Sequence, residues 1–329
     1  MYRKFFRFIQ MSCILVFIPL LANAELSTKD AWDNLKKLLE TGGYQVIGQE
    51  SSVGSDLSIK NVQISSEVDA QTDITFDIGS LDLTKNKDGF ININLPEEIY
   101  VQYLNEDEFG YKTEANILVR ARELDFKVSG KISQVLYQFT ASSAGFVLVE
   151  ILDNGVASPD FSAEMEFVLA DVNSTIRVAG VSSIEVTSLL SASGASIKGG
   201  LSVLSVPLKL NFQYVMDQLK SSTVSNEPKV SLDEDFELAL AKGFSSTSNF
   251  TFDTSEMNLN ATTPSGPLAI SFITGPSSLT SALSQSGFFI QSDNEQSKFN
   301  LNLPSNGWNF ELDFQEFSTS LNLSLIHIS

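Results

Sequence analysis

Cysteine, histidine and basic residues are all scarce in this 329-residue chain, and each scarcity removes a class of chemistry. The single cysteine is Cys13. No second thiol exists to pair with it, so disulfides, zinc thiolate clusters and a thiol nucleophile beyond residue 13 are excluded. The single histidine is His327, three residues from the end. Histidine-dependent triads, imidazole metal sites and titration near neutrality lose their usual residue in the rest of the chain. Lys and Arg total 21 against 40 Asp and Glu, for a net charge of -19. Such a surface repels phosphate backbones and anionic headgroups, so nucleic acid is not an expected partner. The sequence has no G-x-S-x-G elbow, no S-x-x-K and no Gly-rich phosphate loop, so hydrolase, kinase and dehydrogenase readings have no motif to rest on.

Long apolar runs are also missing, with one exception at the start. Arg3, Lys4 and Arg7 form a basic opening, Ile14 to Leu21 are apolar, and Ala22-Asn23-Ala24 is an A-x-A cleavage site. This is the pattern of a secretory signal peptide over 1–24, cut after Ala24 to begin at Glu25, which places the mature protein in the periplasm or cell envelope. Gln10-Met11-Ser12 before Cys13 does not resemble a lipobox. The leader holds three basic residues and no acid, so 18 of the 21 basic residues and all 40 acids lie beyond it. No second stretch approaches 18 apolar residues, and no transmembrane helix is expected in the mature chain.

What is present is mostly two-residue periodicity. One helix precedes it. Ser27 and Thr28 are candidate N-caps, Asp30 puts an acid in the first turn, Trp32, Leu35, Leu38 and Leu39 share a face, and Gly42-Gly43 stops it. From Tyr44 the period is two: Ile74, Phe76 and Ile78 alternate with polar residues, Leu81 and Leu83 resume one step out of phase, and Gly79 at the slip predicts a β-bulge. Asn86-Lys87-Asp88-Gly89 predicts a tight turn into Ile91, Ile93 and Leu95. Phe299, Leu301 and Leu303, then Pro304 to Gly307, then Trp308, Phe310, Leu312 and Phe314 read as a hairpin with one dry and one wet face. Further turns are expected at 108–110, 153–155 and 199–200, with Ser265-Gly266-Pro267 and Gly275-Pro276 as a repeated turn. Phe212, Val215, Met216 and Leu219 have helical spacing and predict a second helix over 211–220, followed by a polar stretch, 221–229, that can divide the domain.

Candidate sites are few. Glu106-Asp107-Glu108 and Asp233, Glu234, Asp235 and Glu237 are acidic groups, one in a turn and one opening a strand. Neither has the spacing of a calcium loop, and solvated turns account for both. A carboxylate pair for hydrolysis has no positional signature among so many acids. Lys112, Arg120, Arg122, Lys127 and Lys131 are the one basic stretch. Arg120 and Arg122 fall on one strand face, where they can grip an anionic headgroup or pair with Glu123 and Asp125. The N-x-[ST] matches at Asn173, Asn249 and Asn260 matter only in a eukaryotic host. No catalytic, cofactor-binding or metal-ligating residue is assigned, and no cofactor. Aromatics favour a dry interior: 24 Phe, of which only Phe5, Phe6, Phe8 and Phe17 lie in the leader, stand against 7 Tyr and 2 Trp. Outer-membrane barrels use Tyr and Trp as interface girdles.

The leader, Ala31-Trp32-Asp33-Asn34-Leu35, Gly43-Tyr44-Gln45-Val46 and the long Ser/Thr/Asp-rich meander resemble an uncharacterised alphaproteobacterial envelope family, domain of unknown function 2125. The resemblance implies an envelope protein, carries over no catalytic residue, and involves members longer than this chain. Leu323 to Ser329 resembles translated sequencing-adapter read-through, so the natural chain is expected to diverge there and continue, with His327 foreign to it.

The expectation is therefore a mainly β protein: a large antiparallel sheet, curled or meandering, with a short N-terminal helix, spanning 25–322. Its expected role is non-enzymatic binding or scaffolding in the envelope, for an apolar or lipid ligand or another envelope protein. The alternatives are an outer-membrane β-barrel and a hydrolase using carboxylates alone.

Overall fold

In the computed structural model, residues 26–41, 43–69, 71–157, 161–180, 183–228, 236–304 and 307–323 are described. The expected leader, the acidic group 233–235 and the tail beyond Leu323 lie outside them. The chain is mainly β, with one helix, α1 (Thr28–Thr41), ahead of a 20-stranded antiparallel sheet. Ser27 is the N-cap of α1. Its hydroxyl accepts from the Asp30 amide at 3.1 Å and donates to the Asp30 carboxylate at 2.6 Å, and that carboxylate accepts the Ser27 amide at 3.1 Å, a reciprocal capping box. Thr28, the other candidate, is buried and donates instead to the Ser55 carbonyl. At the other end, Tyr44 N–H bonds Leu39 C=O at 3.1 Å and Gly43 N–H bonds Glu40 C=O at 3.0 Å. Gly43 has φ 83°, so the helix ends in a Schellman motif that glycine accepts without strain.

The strands form one up-and-down meander. It begins β1 (Gln45–Val53), β2 (Asp56–Asp69) and β3 (Thr72–Lys85). Two collinear pairs follow: β4 (Ile91–Asn94) with β5 (Glu98–Glu106), and β6 (Lys112–Arg122) with β7 (Asp125–Lys131). Next come β8 (Gln134–Asp153) with its short hairpin partner β9 (Val156–Ala157), then β10 (Phe161–Ala179), β11 (Ile184–Val203) and β12 (Leu208–Glu227). A short helix, α2 (Phe236–Ala241), precedes four more collinear pairs. They are β13 (Ser245–Phe252) with β14 (Thr254–Thr263), β15 (Gly266–Thr274) with β16 (Ser277–Ser284), β17 (Gly287–Asn294) with β18 (Ser297–Leu303), and β19 (Trp308–Phe314) with β20 (Phe317–Leu323).

The breaks between collinear strands align with a register slip or a left-handed residue in unbroken ones. Asn61 and Gly79 mark the register slips of β2 against β3 and have φ of 53° and 74°. Glu123 separates β6 from β7 with φ 52°, and Asp171 in β10 and Gln218 in β12 have φ 47° and 51°. Asp253, Gly275-Pro276, Glu295-Gln296 and Gln315-Glu316 interrupt the later runs at corresponding positions. A bulge kinks its strand and adds twist. Repeated in register, the kinks crease the whole sheet along a line transverse to its strands and divide it into two arms. One arm holds β5, β6, β14, β15, β18 and β19. The other holds β4, β7, β13, β16, β17 and β20. The long strands run through both.

One face is buried along the crease. Leu169, Val172, Ala192, Ala195, Met216 and Leu219, all in β10–β12, are 2–9% exposed. Helix α1 contacts β1, β2 and β3, at one end of the sheet. Side chains of both arms join these residues and α1 in one hydrophobic cluster, as a bend toward the apolar face brings about.

Three expectations about local structure are corrected. Residues 211–220 are not helical; they lie inside β12. Phe212, Tyr214 and Met216 face inward, and the left-handed residue Gln218 shifts the phase, with the register unchanged, so that Leu219 does too. A kink in a strand thus produced the spacing that reads as a helix. The polar residues Ser221–Glu227 continue the same strand. Gly199-Gly200 is likewise not a turn but lies in mid-strand in β11, and Gly275-Pro276 is a crease break rather than a hairpin turn. The Gly79 bulge, the 86–89 turn and the 299–314 hairpin are as the sequence predicts.

Candidate functional site

Because the strands are antiparallel and in register, residues directly opposite one another form rows across the sheet. In the first arm one row passes through ten strands: Ile99, Val119, Phe146, Phe167, Ile197, Tyr214, Met257, Phe272, Phe299 and Leu312. At ~4.8 Å per strand it spans about 43 Å. Two residues along, a second row runs Met165, Gly199, Phe212, Leu259, Ile270, Leu301 and Phe310. Both rows lie on the inner side of the crease, the first two residues and the second four residues from the buried Leu169, Ala195 and Met216.

Gly199 has a specific role in the second row. A Cβ there would come within 2.1 Å of the Phe212 ring, so that ring lies across the glycine and occupies the space a side chain would take. Phe146 and Phe167, neighbours in the first row, stack with centroids 5.5 Å apart.

The inner wall of the other arm is different in composition. Ser174, Leu190, Ser221 and Phe250 form one row, and Ile176, Ser188, Thr223, Ser248, Ser281 and Ile290 another. Thr223 and Ser248 share a 2.9 Å hydrogen bond. At the crease itself, buried Ser255 and Thr274 are bonded at 2.8 Å. From β10 to β20 the inward positions hold no Lys or Arg, and one carboxyl, Glu227, opposite Ile184. Burial pushes that carboxyl up from the ordinary range, and a hydrogen bond from Ser225 only partly offsets it.

From β10 to β20 the charges other than Glu227 are on the outer face. The corresponding outer row is Glu166, Lys198, Gln213, Asn258, Ser271, Asn300 and Glu311. Shallow depressions of about 620 and 510 Å³ lie on this polar side. The first is lined by residues of both signs, among them Arg120, Glu164, Glu166 and Lys198.

The sequence-derived candidates are dispersed. Arg120 pairs across strands with Glu98 at 2.9 Å, rather than with Glu123 or Asp125. Lys112 pairs with Glu106 at 3.0 Å, and Lys127 with Asp125. The basic stretch is thus spread over β6 and β7 in local pairs. In the acidic turn, the Asp107 carboxylate accepts the amides of Phe109 and Tyr111, both at 2.9 Å, which fixes the turn between β5 and β6. Glu237 begins α2 instead of a strand. Asn173, Asn249 and Asn260 lie on the outer face.

The inner apolar rows are what sequence reasoning missed. Alternation within each strand is visible in the sequence, but the rows need the register. Comparison with known proteins adds no relative: no family model, no curated protein and no solved structure matches this chain.

Proposed function

We propose that this chain is an exported envelope protein with a non-enzymatic role, which holds an apolar ligand such as a lipid against the inner face of its creased sheet. The observation that carries the reading is the pair of apolar rows in the first arm. Apart from exposed Met165 they are half-buried in β10–β18, they are exposed in β19, and from β10 onward they lack any charged neighbour in their own rows. Exposed apolar area of this continuity marks a binding surface. Its position inside the bend, with charges outside, is the reverse of an outer-membrane barrel, whose apolar face is outermost. The leader pattern over 1–24 supports export, and the resemblance to an envelope family agrees with it.

The test is purification without detergent from the envelope of a Gram-negative host, followed by mass spectrometry of organic extracts. The expected result is an N-terminus at Glu25 and stoichiometric lipid in the extract. Recovery of the protein only in carbonate-washed outer-membrane pellets, or a soluble protein that carries and takes up no lipid, overturns the reading.

A further inference from the structure

We propose that the ligand is an uncharged long-chain amphiphile whose acyl chain lies along the crease, at right angles to the strands, against the first arm, with its hydrogen-bonding head toward the hydroxyl-bearing wall of the second. This rests on the lipid-binding reading above and goes further in naming the ligand's chemistry and its direction.

Three observations carry it. The first is shape. The two apolar rows and a third beside them, Ala163, Leu201, Leu210, Ala261 and Leu268, lie two residues apart along each strand, a width of about 14 Å, and between β10 and β18 they extend for about 24 Å. An apolar wall longer across the strands than along them fits a linear chain laid across them. A peptide laid there would lose water from its backbone amides with no partners on an apolar wall, which is unfavourable. The second is the difference between the two walls. The first arm presents Ile197, Tyr214, Met257, Phe272 and Phe299 in register. The second arm intersperses its apolar residues with Ser188, Thr223, Ser248 and Ser281, one hydroxyl per strand in a single row. Hydroxyls both donate and accept, which suits glycerol or ester oxygens. The third is charge. No cation lies on the inner face from β10 to β20 to balance a phosphate, its one carboxyl, Glu227, is held up by burial, and the whole chain carries -19. Taking an uncompensated anion into this setting costs more than it returns.

The decisive experiment is photo-crosslinking on the full chain in detergent-free buffer. Two probes carry the same terminal diazirine on an octadecanoyl chain: a monoacylglycerol and a phosphatidylglycerol. Mass spectrometry maps the labelled residues. Labelling centred on Ile197, Tyr214, Met257, Phe272 and Phe299 is expected, with the monoacylglycerol competing about tenfold better than the phosphatidylglycerol. The double variant Phe272→Glu/Phe299→Glu should lose about tenfold in labelling, while Ser271→Glu/Asn300→Glu, on the outer face of the same strands, retains it. The wild-type map needs no variant to fold. Labelling of the outer face or the hydroxyl wall, or equal competition by the anionic lipid, overturns this proposal while leaving lipid binding intact. No specific labelling by either probe overturns both.

Discussion

The two ends of this sheet carry the same alternation and use it differently. At the N-terminal end Ile59, Leu83, Ile91 and Val128 are completely buried, and α1 lays Ala31 and Trp32 into the same cluster. At the other end Leu312, Phe310 and Trp308 occupy equivalent inward positions in β19 and are 40%, 50% and 72% exposed. Between them the apolar rows are half-buried. Alternation therefore specifies which face is apolar, and a covering element decides whether that face is a core or a surface. Glu50 illustrates how the cover is held: it accepts from Trp32 Nε1 at 2.9 Å and from Lys29 at 2.7 Å, pinning α1 over β1.

If this contrast is right, the same substitution should have unequal effects at the two ends. Leu83→Ala removes a fully buried side chain and should cost about 2–5 kcal/mol. Leu312→Ala should stay within about 0.5 kcal/mol. Urea unfolding of both variants measures the difference, and equal losses would mean that β19 is packed as tightly as the core. A smaller effect is expected midway. Gly199→Val drives a side chain into the Phe212 ring and should cost about 1–3 kcal/mol. Phe212→Ala in the same background should recover part of that loss, so a double-mutant cycle reads the contact directly.

The cover itself can be loosened by smaller steps. Ser27→Ala removes the α1 cap, for an expected loss of about 1 kcal/mol, visible as faster amide exchange in α1. Acid should weaken the docking of α1 gradually. Lys29 is the main cause that holds the Glu50 carboxyl below its ordinary 4.5, with Trp32 assisting. The stabilisation is therefore complete above that unfolded value and is lost as pH falls through the lower folded one. Both groups are partly exposed, so screening by salt keeps the effect small. Glu50→Gln should flatten the acid limb of the α1 unfolding profile; an unchanged limb would show that the pair does not hold the helix.

Much of the fold was legible in the residues. The cap and stop of α1, the Gly79 bulge, the 86–89 turn and the final hairpin follow from local rules that no later contact overrides. The crease was not legible. Its positions are occupied by Asn61, Glu123, Asp171 and Gln218, residue types common on any strand surface, and their left-handed φ becomes visible only in the structure. One of these residues, Gln218, shifted the phase of β12 and made it resemble a helix. The candidate face was half-legible: Phe299 and Leu301 announce a dry side, but their continuity with Phe272, Met257 and Tyr214 depends on pairings between strands far apart in sequence.

The most direct test of an inward, ligand-accessible apolar face uses the scarcity of cysteine. In a Cys13→Ser background, single cysteines at positions 298, 299, 300 and 301 can each be labelled with a polarity-sensitive fluorophore. Phe299→Cys and Leu301→Cys should emit as from an apolar setting and shift further when monoacylglycerol is added, while Lys298→Cys and Asn300→Cys should emit as from water and not respond. Emission that fails to alternate, or a lipid response confined to 298 and 300, would contradict the assignment of the inner face.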